Sequence, residues 1–163
     1  MALSLESANL VRQKVYGALQ GTDNPSAKQQ LWWSTVREFF NQWISQGANA
    51  NLQFVPFSEA DADDDDGTGI VDAACKVYIM YVNKRGTSAT ANTVKLFDSA
   101  TLDTTAGEQT LSIPLDAAGQ EAILVYPQGF SQATGVTVTQ HTTIEGSTDG
   151  SDGADGFIVI GAA

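Results

Sequence analysis

The chain has 163 residues and a formal net charge of −11, which leaves room for one β domain with a helical appendage but not for two full-sized domains. No stretch approaches the roughly 18 consecutive apolar residues of a membrane-spanning helix, so a soluble protein is expected, and Cys75, the only cysteine, excludes an internal disulfide. The acidity is lopsided, with four basic and three acidic residues in 1–50 against four basic and sixteen acidic in 51–163, so the C-terminal part repels phosphate backbones and direct nucleic-acid binding by it is not expected.

The opening MALSLESANLVRQ lacks the basic start, long apolar run and small-residue cleavage site of a secretory signal. Leu5, Ala8, Val11, Val15 and Ala18 or Leu19 recur at helical spacing, with Ser4 as cap and Gly21 as stop. The GTDNP linker then breaks the chain. Ser26 and Gln29 have capping-box spacing and open a second helix that Gly47 ends. Trp32, Trp33, Val36, Phe39, Phe40 and Trp43 form one broad apolar face on it. A lone helix cannot bury that load. The first helix and the β region cover it, or it anchors an oligomer or docking interface, where Trp and Phe are enriched.

Beyond residue 50 the period changes to alternation. A short Leu52, Phe54 segment is interrupted by Pro56, and DADDDDGTG separates it from the downstream strands. Ala73, Cys75, Val77, Ile79 and Tyr81 are expected on one face of a long strand, with Met80 and Val82 apolar on the other. Cys75 reads as inert core packing. Further strands are expected at TVKLF, QTLSIPL, AILVY, GVTVTQH and the terminal GFIVIG, with Pro114 and Pro127 at strand ends or on an edge. Short strands with turn signals between them, and no helix-length segment among them, indicate an antiparallel sandwich or jelly roll. The chain therefore reads as α+β: a helical N-terminal segment over 1–50, for oligomerisation or docking, and a jelly-roll-like β-sandwich with acidic loops over 51–163.

Few residues invite chemistry. Asp61, Asp63 and Asp65 could open a calcium loop, but the glycine position falls on Asp66 and the glutamate position on Asp72. Asp149, Asp152 and Asp155 resemble a calcium turn only by composition. Both stretches read as solvated acidic loops. His141 is the only histidine and comes after a strand-like TVTQ, so it reads as a surface or hydrogen-bonded strand residue rather than as a catalytic base. No GxSxG, Walker A, CxxC or HExxH pattern is present. No catalytic residue, cofactor or metal is expected, and the chain reads as non-enzymatic.

Residues 94–98 and 124–139, VKLFD and LVYPQGFSQATGVTVT, precede an acidic Gly- and Thr-rich loop, IEGSTDGSDG. Across Tyr78 to about Asp152 this resembles a set of small bacteriophage virion proteins whose β domains carry a strand like KLY, a segment like FPxGlxfatGlxvxvT and a polar Asp-rich stretch. The resemblance implies a virion structural protein, first a decoration or cement protein on the capsid surface, second a tail, adaptor or fibre part; a host-carbohydrate-binding module at a tail tip is a separate alternative. Its partners would be the major capsid protein or other virion proteins and further copies of itself, as a trimer; no membrane or nucleic-acid partner is implied. For carbohydrate binding, Tyr126, Phe130 and Tyr81 would have to form one exposed patch.

Overall fold

The computed structural model describes residues 2–19, 27–46, 51–58, 69–84, 92–101, 108–115, 120–141 and 154–163. A two-residue strand β1 (Glu6–Ser7) precedes helices α1 (Ala8–Leu19) and α2 (Ala27–Ser45). Then come β2 (Asn51–Phe57), β3 (Cys75–Lys84), β4 (Asn92–Asp98), β5 (Glu108–Leu115), β6 (Glu121–Gln132), β7 (Thr137–His141) and β8 (Ala154–Ala162). The described pairings are all antiparallel, and the chain has the α+β class expected of it.

Helix α1 begins where the Ser7 hydroxyl accepts a hydrogen bond from the N–H of Leu10 at 3.3 Å, which satisfies a donor the helix itself cannot. Ser4 is not the cap. Its N–H donates instead to the Gln53 side-chain oxygen at 2.7 Å, because Glu6 and Ser7 are extended and pair with Leu52 and Asn51. The helix thus starts at Ala8 rather than Leu5. Ser26, Gly21 and Gly47, expected to bound the helices, lie outside the described residues.

One sheet has the order β1-β2-β8-β3-β6 and the other β5-β4-β7. With β1 set aside, this is the order of an eight-stranded jelly roll, whose sheets run first-eighth-third-sixth and second-seventh-fourth-fifth. Strands β2, β8, β3 and β6 fill the first set, and β7, β4 and β5 take three places in the second. The remaining place falls between β2 and β3 in sequence and beside β7 in space. Val71 occupies it, bridged to Val136: the N–H groups of Ile70 and Val71 donate to the Val136 carbonyl, and Val136 N–H donates to the Val71 carbonyl at 2.8 Å.

The five-stranded sheet is apolar on both faces and builds two cores. On one face Val77, Met80, Val82, Ile158 and Ile160 meet Val94, Leu96, Ile113, Leu115 and Val138 of the second sheet. On the other, Tyr78, Ile79, Phe157 and Val159 meet Val11 and Val15 of α1 and Val36, Phe39 and Phe40 of α2. The result is three layers, with the helices packed on the sandwich. Helices α1 and α2 therefore share a core with the sheet.

Strand β3 departs from simple alternation. Val77 pairs with Ile160 and Ile79 with Val159, so Tyr78 is an extra residue on β3, and the register shifts there. A bulge of this kind moves later side chains to the opposite face. Cys75 and Val77 face the sandwich, but so do Met80 and Val82, while Ile79 joins the helix side. The expectation that Cys75, Val77, Ile79 and Tyr81 share one face is thus corrected. Across β6 the same point is wider still, with Val77 opposite Phe130 and Ile79 opposite Val125. There Gly129 takes φ 65°, and a Cβ on it would lie 2.8 Å from the Tyr78 ring, so only glycine fits without displacement.

Proline placement obeys the same logic. Pro56 does not interrupt β2, which runs on to Phe57 with Pro56 opposite Phe157. Strand β1 covers only Asn51 and Leu52, so further along the outer side of β2 has no described neighbour and a missing N–H costs little. Pro114 and Pro127 lie on the edge strands β5 and β6.

Candidate docking interface

The helix layer holds every residue of the aromatic face, and the structure divides that face in two. Val36, Phe39 and Phe40 are buried within the chain, sealed against Val11, Val15, Tyr78 and Ile79. They belong to the core and offer no surface to a partner, which corrects their assignment to an interface. Trp43 is half-buried. It stacks on Phe39 at 5.8 Å and meets the Tyr78 ring edge-on at 4.6 Å. Such pairs add to the value of area burial alone.

Trp32 and Trp33 are likewise partly exposed. The Lys28 ammonium lies over the Trp32 ring, 4.7 Å from its centroid, in a cation–π contact. Trp33 lines an open cavity of ≈ 220 Å³ between the two helices, together with Tyr16, Leu19 and Arg37. Leu31, beside them, is 65% exposed. Sequence reading missed it because it lies five positions from Val36, about 140° round the helix from the core stripe. Leu31, Trp32 and Trp33 thus keep solvent-accessible apolar surface on α2, at successive positions about 100° apart round the helix.

Glu121 at the start of β6 fixes where the first turn of α2 sits. Its Oε1 accepts from the Tyr81 hydroxyl at 3.0 Å and from Asn83 Nδ2 at 3.2 Å. Its Oε2 accepts from Gln29 Nε2 at 3.4 Å, and its backbone carbonyl from Lys28 Nζ at 3.2 Å. One carboxylate therefore ties the first turn of α2 to β3 and β6. Nothing in the sequence marks this, since the partners lie about 40 and 90 residues away.

The other candidates fall elsewhere. Cys75 is buried in the sandwich core, where burial, with a smaller contribution from the Asp98 charge, pushes its thiol up to about 11. His141 ends β7 opposite Thr93. Asp61 to Asp66, Asp149 and Asp152 lie outside the described residues, Asp72 is exposed and Asp155 lies in β8. Among the described residues no three His, Cys, Asp or Glu side chains gather as a metal site would require, and no helix is long and apolar enough to cross a membrane. Tyr126 and Phe130 pack edge to face at 4.9 Å and are half-exposed. Tyr81 is not with them, because it stacks on Phe157 at 5.2 Å and bonds to Glu121 on the helix side.

Comparison with protein families, with curated proteins and with solved structures finds no match to this chain.

Proposed function

We propose that this chain is a non-enzymatic structural protein of a bacteriophage particle, a decoration or cement subunit that binds the outer surface of the capsid and bridges major capsid subunits. The observation that carries this reading is the large apolar surface left accessible on α2, by the exposed Leu31 and the partly exposed Trp32 and Trp33. Large apolar side chains at a surface are the usual anchors of a protein interface. The charge distribution favours the same face. Residues 1–50 are nearly neutral, whereas 51–163 carry sixteen acids against four basic residues, so the helix layer can approach another protein with least repulsion while the sandwich faces solvent and maintains solubility.

The jelly-roll order adds support by analogy, since viral capsid domains use this architecture, as do lectins and cupins. The likeness of residues 94–98 and 124–139 to phage virion β domains points the same way. The mechanism is adhesion: each bound copy stabilises the assembled shell by mass action, because it binds the shell and not its dispersed subunits. The subunit acts as a homo-oligomer, so that several helix layers engage the shell at once.

A second reading is a tail or fibre component that binds host carbohydrate, favoured by the half-exposed Tyr126–Phe130 pair. Co-sedimentation of the purified chain with particles lacking it separates the two. Loss of binding in Leu31→Ser with Trp33→Ser, with Tyr126→Ser binding as wild type, supports decoration. Unchanged binding by the helix variant rules out the exposed apolar residues of α2 as the docking surface.

A further inference from the structure

We infer that the free edge of β6 is a self-association site, at which a second copy of this chain pairs antiparallel across a two-fold axis through Leu124. The inference does not depend on the particle role proposed above. Strand β6 is the last strand of the five-stranded sheet, with β3 on one side and no described strand on the other. Lys84 N–H donates to the carbonyl of Gln120, opposite it, at 2.9 Å. In an antiparallel ladder alternate residues turn their backbone groups to the same neighbour. Ala122 and Leu124 therefore bond toward β3, and Glu121, Ile123 and Val125 turn their N–H and C=O outward.

An exposed edge is a template for strand pairing, and proteins that avoid pairing blunt it with charge, proline or extra twist. Among the described residues, blunting occurs only at the ends. The Glu121 carbonyl is taken by the Lys28 ammonium, and beyond Val125 the strand bulges away around Pro127 and Gly129. Between those stops the sequence is AILVY, without a charged side chain.

The occupant is set by the chemistry of both faces. Ile123 and Val125 lean on the helix core, Ala122 and Leu124 on the sandwich core, and all four are only half-covered. A strand that completes both cores must itself be apolar on both faces and uncharged, and β6 of a second copy meets that description. Register singles out one arrangement. Among the described residues, the outward carbonyls and amides without a partner strand belong to Ile123 and Val125, and these match each other when the axis passes through Leu124. Ile123 of one copy then exchanges both hydrogen bonds with Val125 of the other. Such an isologous contact closes as a dimer, in place of the trimer expected from sequence. Net charge opposes the pairing, so added salt strengthens it.

The test uses the full chain in sedimentation velocity at physiological salt. Wild type is expected to dimerise with rising concentration. Val125→Pro removes only an outward N–H, which an edge strand tolerates, and should weaken association at least tenfold with an unchanged circular dichroism spectrum. Leu124→Cys should form a disulfide-linked dimer under mild oxidation, since facing residues at a non-hydrogen-bonded position lie within disulfide reach. Ala122→Cys, offset from its own copy, should not. A wild-type chain that stays monomeric overturns the inference. So does a dimer that Val125→Pro leaves intact, or equal cross-linking by the two cysteine variants.

Discussion

The carboxylate of Asp98, at the end of β4, accepts a hydrogen bond from the backbone N–H of Thr134 at 2.8 Å. The same side chain accepts from Ala133 at 2.8 Å and from Gly135 at 3.4 Å. It thus holds the turn from β6 to β7, the passage between the two sheets. Hydrogen bonds to a charged group contribute more than neutral ones, and amides stripped of their acceptor lose that contribution. Asp98→Ala is expected to destabilise the fold by about 2–4 kcal/mol, and Asp98→Asn, which keeps an acceptor, by less. Urea denaturation of the two variants measures the difference.

The shared sheet makes a prediction about cooperativity. Phe40 lies at 0% exposure between α1, α2 and the sheet, so Phe40→Ala should cost about 3–5 kcal/mol through lost burial and the cavity it leaves. Tryptophan fluorescence reports the helix layer, where all three tryptophans lie, and far-ultraviolet circular dichroism also reports the sheets. The two should trace one transition in wild type and variant alike. Helices melting ahead of the sheets would contradict a common core.

Much of this was legible in the sequence. Both helices and the later strands can be read from period, because an apolar stripe every three to four residues and an alternation of two have one stable burial each. The helix layer was visible as an aromatic face too large for one helix to hide. What escaped was tertiary. The bulge at Tyr78 depends on room made by Gly129 on another strand, and the cap moved to Ser7 because Glu6 and Ser7 pair with β2. For the candidate site, Trp32 and Trp33 were found and Leu31 was not. Val36, Phe39 and Phe40 could not be told from surface residues until the sheet beneath them was known.

Surface and core parts of the helix layer should respond differently to truncation. Leu31→Ser, at a position 65% exposed, should change stability by less than about 0.5 kcal/mol, whereas Val36→Ala at 0% exposure should cost about 1–3 kcal/mol. Paired thermal melts check this. They also establish that a binding defect in Leu31→Ser is not a folding defect.

Cys75 gives the stability a pH dependence of known sign. Its thiol is raised from 9.0 to about 11 by burial first and by the Asp98 charge second. Below pH 9 folded and unfolded chains both keep the proton and the thiol contributes nothing. Between pH 9 and about 11 the unfolded chain releases its proton first, so it binds fewer protons than the folded one and stability falls as pH rises. The loss reaches roughly 2–3 kcal/mol by the upper limit. Cys75→Ala should lack this part of the slope, so denaturation curves of the two proteins at pH 8 and pH 10.5 should converge as pH rises. Parallel profiles would mean that the thiol is not desolvated.

The central claim is that this protein decorates a capsid, and its copy number tests that most directly. Quantitative mass spectrometry of purified particles, with the major capsid protein as internal standard, should find hundreds of copies per particle. A count of a dozen or fewer would contradict capsid-wide decoration and shift the chain to the tail or portal vertex. Its absence from the particle would contradict the virion role altogether.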